Sequence, residues 1–152
     1  MAYVTAEARQ ELLDTIARAT DEIGAALGAL GEAYEQLDEQ TADRLEAELF
    51  KPVQSAYGRA RRTHAEFAGR YELPTRTFAP ATLGHGAAGV REQVDDAVDA
   101  AAEADDILAD LQDSMMPVEV GDPELRAGLS EVRRSLGEIP GAAERFVRVL
   151  GR

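Results

Sequence analysis

Two histidines and a crowd of carboxylates are the side chains through which this chain could do chemistry. There is no cysteine, so disulfides, thiol catalysis and Cys-bound zinc are excluded. Gly84-His85-Gly86-Ala87-Ala88-Gly89 reads as G-x-G-x-x-G. A dinucleotide fingerprint needs a strand before that run and a βαβ frame around it. Only the following helix is expected here, so the run reads as a loop at a helix start. Free N–H groups at such a start can hold an anion, and Arg76, His85 and Arg91 are the side chains that would join them.

His64 stands in register with Tyr57 and Tyr71. With Met115 or Met116 opposite, it could ligate a haem iron. A histidine between aromatic neighbours is more simply a packing residue, and no cofactor is expected. Di-iron bundles need Glu-x-x-His twice. Arg61 and Thr82 occupy the places three before His64 and His85, so that motif is absent.

Carboxylates crowd the stretch from Glu92 to Asp113, with Asp95/Asp99 and Asp106/Asp110 one helical turn apart. Pairs of this kind suit hard divalent cations. They equally form a solvated face opposite arginines of neighbouring helices, so no metal ligands are assigned. There is no Ser-His-Asp set, P-loop or metalloprotease motif, and no catalytic residues are expected.

One helical line carries small residues instead of charges. Gly24, Gly28 and Gly31 run along it beside Leu27. Each glycine costs a helix about 1 kcal/mol relative to alanine. A smooth line of this kind lets another helix come close, and it is expected to be a contact stripe for a second copy.

These groups are positioned by helices. Apolar rows stepping by seven run through four long stretches. The first holds Ile16, Ile23, Leu30, Leu37 and Leu12, Ala19, Ala26, Ala33. The second holds Val53, Ala60, Phe67 and Leu49, Ala56, Thr63. The third holds Val90, Ala97, Ala104, Leu111 and Val94, Ala101, Leu108, Met115. The fourth holds Leu125, Val132, Ile139, Phe146 and Leu129, Leu136, Ala143, Leu150. No run alternates with period two, so strands are not expected.

Thr5 and Thr41 are candidate N-caps for the first two helices. Asp122-Pro123 marks the start of the last. Pro52 and Pro140 lie inside the second and fourth helices and should kink them. The rows keep phase through Pro140, so that helix is expected to continue.

The four stretches alternate in net charge. Residues 1–40 carry −7, 41–72 carry +1, 73–116 carry −7 and 117–152 are neutral. An antiparallel up-down-up-down four-helix bundle, one domain over residues 1–152, makes every sequence neighbour a spatial neighbour of complementary charge. That topology also gathers residues 32–51 and 105–126 at one end, with fourteen acids against three basic residues. Such an end would attract a divalent metal or a basic protein partner.

The chain's net charge of −13 disfavours nucleic acid and anionic membranes. The first residues show no secretory signal, and no uncharged run is long enough to span a bilayer, so a cytoplasmic protein is expected. The leading expectation is a non-enzymatic helical interaction or structural protein that forms a homo-oligomer through helix 1. The alternative is a small-ligand or metal-binding protein using the acidic end or the Arg76/His85/Arg91 loop.

Overall fold

A computed structural model describes residues 2–81 and 89–150, and every regular element among them is helical. The first helix, α1, is Ala2–Glu35. A three-residue turn leads to α2 (Glu39–Leu45), a π-helical turn (Glu46–Phe50) and α3 (Lys51–Arg70), which follow one another without a break. Helix α4 is Val90–Asp113, α5 is the short Met116–Val120, and α6 is Pro123–Leu150.

The heptad rows form the core. Ile16, Ile23, Leu30, Val53, Phe67, Val94, Leu108, Leu125, Ile139 and Phe146 are all buried in one cluster. Leu37, Val90 and Leu150, at the ends of their rows, are partly buried, and Met115 is exposed. It lies outside α4, adopts a left-handed φ of 65° and is 53 % exposed. Its row simply outlasts the helix, whose C-cap is Ser114.

Two local expectations, both of helix caps, are corrected. α1 already includes Thr5, so Thr5 is not its N-cap. The cap of α2 is Asp38 and not Thr41: the Thr41 N–H donates to Asp38 Oδ1 at 2.8 Å, and the Thr41 hydroxyl donates to Oδ2 at 3.1 Å. These bonds hold the Asp38 carboxyl below its usual range, the Thr41 N–H foremost. Pro52 is accommodated by the wide turn before it. The N–H of Lys51 reaches back five residues to the Glu46 carbonyl, and the helix goes on. α6 runs as one helix through Pro140, and Asp122 caps it by accepting from the Leu125 N–H at 2.8 Å.

The order of packing also differs from the expected one. α1 packs on α3 and α4, and α6 packs on the same two helices. Sequence neighbours α3 and α4 are therefore diagonal. Named contacts give the directions. At one end of α1, the Gln36 side-chain amide donates to Gln93 at 2.9 Å, so α4 starts where α1 finishes. At the other end Glu11 and Thr15 share a hollow with Asp110 and Ser114. α3 and α6 are antiparallel too: Arg70 pairs with Asp122 at 2.8 Å and Arg59 with Glu131 at 3.0 Å.

The described part of the connection after α3, Leu73 to Ala81, runs back along α1, and α4 begins at the far end, giving up-down-down-up in place of up-down-up-down. The physical reason lies in magnitudes. Charge pairing between exposed helix faces is worth tenths of a kcal/mol per pair, whereas buried apolar rows contribute several times more per side chain. α1 and α4, both acidic, pack side by side, and both carry small buried residues: Ala19, Ala26 and Ala33 on one helix, Ala97, Ala101 and Ala104 on the other.

This order also separates the two acidic segments. Residues 32–51 lie at the end holding Gln36 and Gln93. Residues 105–126 lie towards the opposite end, with Glu11, Arg70 and Asp122. The single focused acidic end does not form.

Candidate functional site

The segment from Leu73 to Ala81 is laid along α1 and α3, and the glycine line exists for it. The Ala81 N–H donates to the Gly24 carbonyl at 3.2 Å. A Cβ on Gly24 would meet the Ala79 carbonyl and the Tyr57 ring, both at 3.4 Å. A Cβ on Gly28 would collide with the Ala81 carbonyl. Two of the three stripe glycines are therefore explained within one chain. Leu27 beside them is buried. A close approach of the same kind, absent from the sequence-based expectations, joins α3 to α6, where Thr63 leaves no room for a side chain on Gly128.

Two further anchors hold the segment. Arg76 makes a bidentate pair with Asp21, both bonds 2.8 Å. Its guanidinium also lies 4.6 Å from the Phe78 ring. Phe78 in turn meets the edge of His64 at a centroid distance of 5.0 Å. His64 is 3 % exposed, and burial first, then the Arg76 charge, pushes its pKa down from 6.5. It is a neutral packing residue in this setting. Tyr57, also under this segment, keeps a buried hydroxyl with no hydrogen-bond partner among the described residues, and burial raises its pKa against the opposing charge of Arg61.

The expected anion site is not assembled among the described residues. Arg76 is committed to Asp21, while Arg91 stands two residues before Gln93, which reaches Gln36. Asp21 and Gln36 are separated by about 22 Å of helix at 1.5 Å per residue. His85, with Gly84 and Gly86, lies outside the described residues. Among those described, no group of three or more His, Asp or Glu side chains is placed to hold a metal.

The remaining stripe glycine, Gly31, opens onto a groove. Two adjoining hollows of about 410 and 440 Å³ share Gly31, Glu35, Phe50 and Gln54. Tyr34, 39 % exposed, and Glu46 close one side. Leu27, Pro80 and Ala81 close the other, with Glu32 on the rim. A Cβ on Gly31 would meet nothing within 4 Å among the described residues. This glycine therefore weakens α1 by about 1 kcal/mol with no close approach among those residues to account for it.

The π-helical turn places the second wall. It carries both Glu46 and Phe50, and single π-turns inside α-helices recur at functional sites. Sequence reasoning found Gly31 through the spacing of the glycines. Tyr34 adjoins that line on the same helix and was visible with it; Glu46, Phe50 and Gln54 were missed, because they converge on it only once α3 is docked.

The strongest ionic cluster lies at the far end of the molecule. Asp122, 3 % exposed, accepts two bonds from Arg70 at 2.8 and 2.9 Å and one from the Tyr71 hydroxyl at 2.8 Å. Arg9 stacks over the Tyr71 ring at 4.0 Å. Burial alone would raise the Asp122 pKa. The bonds from Arg70, the Leu125 N–H and Tyr71 outweigh it and hold the carboxyl below 3.8. These contacts tie α1, α3 and α6 together.

No family model matches the chain, and comparison with characterised proteins and with solved structures gave no match either. No described helix is long and apolar enough to cross a membrane.

Proposed function

We propose that this chain is a non-enzymatic helical interaction protein whose contact surface is the groove on α1 centred on Gly31. The observation that carries this reading is the groove's make-up. Its floor is a bare helix backbone, its walls are aromatic and aliphatic, and the polar side chains among its described lining residues are three carboxylates, one amide and the Tyr34 hydroxyl. Such a surface can bury a segment of another molecule. Catalysis would need a nucleophile, a base and an oriented partner within reach of one another, and no such set stands among the described residues that line the groove.

Self-association through the whole glycine line draws less support, because Gly24 and Gly28 already serve the chain's own Leu73-to-Ala81 segment. An isologous contact would also set Glu35 and Glu46 of two copies against each other.

Two measurements test the reading. Light scattering across a hundredfold range of concentration reports any self-association. A thermal-shift screen of divalent metals, phosphate and nucleotides reports small ligands, since whatever binds only the folded chain raises its midpoint. The interaction reading expects no saturable shift with any of these; a saturable one points to a ligand-binding protein instead.

A further inference from the structure

We infer that the Gly31 groove receives a basic, amphipathic peptide segment from a partner protein. This rests on the interaction reading above and adds the chemistry of the partner. Charge complementarity argues for it. Glu32, Glu35 and Glu46 rim the groove, and none of its described lining residues is basic. Glu35 and Glu46 are exposed, and neither takes part in an ion pair among the described residues.

Between the carboxylates the surface is apolar. Tyr34 and Phe50 offer ring faces, and the missing side chain at Gly31 leaves depth for an aliphatic or aromatic group. A segment alternating Lys or Arg with Leu or Phe satisfies both features: its apolar side chains enter over Gly31 while its cations reach the rim. A polyanion is repelled by the same rim, and a second copy brings acids to acids.

The probe is a fluorescein-labelled twelve-residue Lys/Leu amphipathic peptide read by anisotropy, with its Glu/Leu counterpart as control. The Lys peptide is expected to bind saturably and more weakly as salt rises; the Glu peptide is expected not to bind. Gly31→Leu fills the floor and should weaken binding by roughly tenfold or more, the scale of one lost anchor. The double variant Glu35→Gln/Glu46→Gln alters only exposed side chains and should weaken binding and flatten its salt dependence. Asp99→Asn/Asp106→Asn, on the exposed face of α4, should leave it unchanged.

Binding that ignores Gly31→Leu but falls with the α4 variant means diffuse attraction to acidic surface and overturns the inference. So does a wild-type chain that binds neither peptide. Binding that appears only when residues 82–88 are replaced by a Gly-Ser linker of equal length assigns the groove to the chain itself and likewise overturns the basic partner. A doubled mass in light scattering, abolished by Gly31→Leu, makes a second copy the occupant. That result overturns the basic partner while keeping the interaction reading, which only a saturable small-ligand shift would remove.

Discussion

The backbone of Gly28 lies against the carbonyl of Ala81 so closely that a side chain on Gly28 has nowhere to go. Three residues further along the same helix, Gly31 faces open space among the described residues. The pair makes a controlled comparison. Gly28→Ala must push the Leu73-to-Ala81 segment away and should destabilise by about 1–3 kcal/mol, the usual range for overpacking. Gly31→Ala should instead stabilise by up to about 1 kcal/mol through helix propensity and a less flexible unfolded chain. Urea unfolding of the two variants and wild type reads the difference. Equal effects at both positions would show that the segment does not rest on Gly28.

His64 should make stability fall in mild acid. Its folded pKa is lowered, chiefly by burial, so the unfolded chain takes up a proton first as pH drops below 6.5. The contribution is whole above pH 6.5 and is lost as pH falls from there towards the folded value, by at most about 1.4 kcal/mol per pH unit. Asp14 of α1 opposes the shift and Arg76 adds to it. Melting midpoints between pH 7 and pH 5 should decline in wild type and decline less in His64→Leu. Parallel slopes would place the sensitivity elsewhere.

Asp122 gathers three kinds of bond on one carboxylate, so its loss should exceed that of an ordinary helix cap. Asp122→Ala leaves Tyr71 without its acceptor, leaves Arg70 with the exposed Glu124 at 3.0 Å, and uncaps α6, a cost of about 3 kcal/mol. Asp122→Asn keeps the cap oxygen and should cost less. Because the folded carboxyl is held below 3.8, its contribution persists above that pH and fades only as the pH falls further. Chemical denaturation of the two variants at pH 7 and of wild type at pH 3 checks both statements.

The acidic flank between α1 and α4 should make the fold more stable in salt. Glu11, Glu103 and Asp110 line one hollow there with Arg18 as the single cation. Screening shortens to about 3 Å at 1 M salt, so the midpoint should rise from low to high ionic strength. Glu103→Gln should raise it at low salt, and the gain should vanish at 1 M. A midpoint indifferent to salt would mean that the arginines already compensate the acids.

What could be read in the chain and what could not divides along physical lines. The buried rows were legible because heptad spacing reflects the largest favourable energy in the fold, and Ile16, Val53, Leu108 and Phe146 all face inward as expected. Asp122-Pro123 was legible because a cap is local chemistry. The order of the helices was not. It was inferred from charges on exposed faces, which decide little, and it missed the diagonal placement of α3 and α4. The glycine line showed that something approaches α1, but spacing cannot say what does. Met115 continued a row beyond the end of its helix because a left-handed cap has no signature in a methionine. Of the groove, Gly31 was visible; Glu46 and Phe50 were not, since a π-turn carries no pattern of its own beyond the proline that follows it.

The returning connection carries a consequence for how two chains can meet. It leaves α3 at Tyr71, beside Arg9, and enters α4 just before Gln93, beside Gln36, so it travels most of the length of α1, about 40 Å. Fully stretched, about twelve residues cover that span. Below that length the second helical hairpin cannot reach back onto the first. Its apolar face would then settle on the first hairpin of another molecule, which offers the same rows in the same order. Progressive shortening of this one connection is thus a dial between a chain that closes on itself and a pair that trade halves, with the core left unaltered in either arrangement.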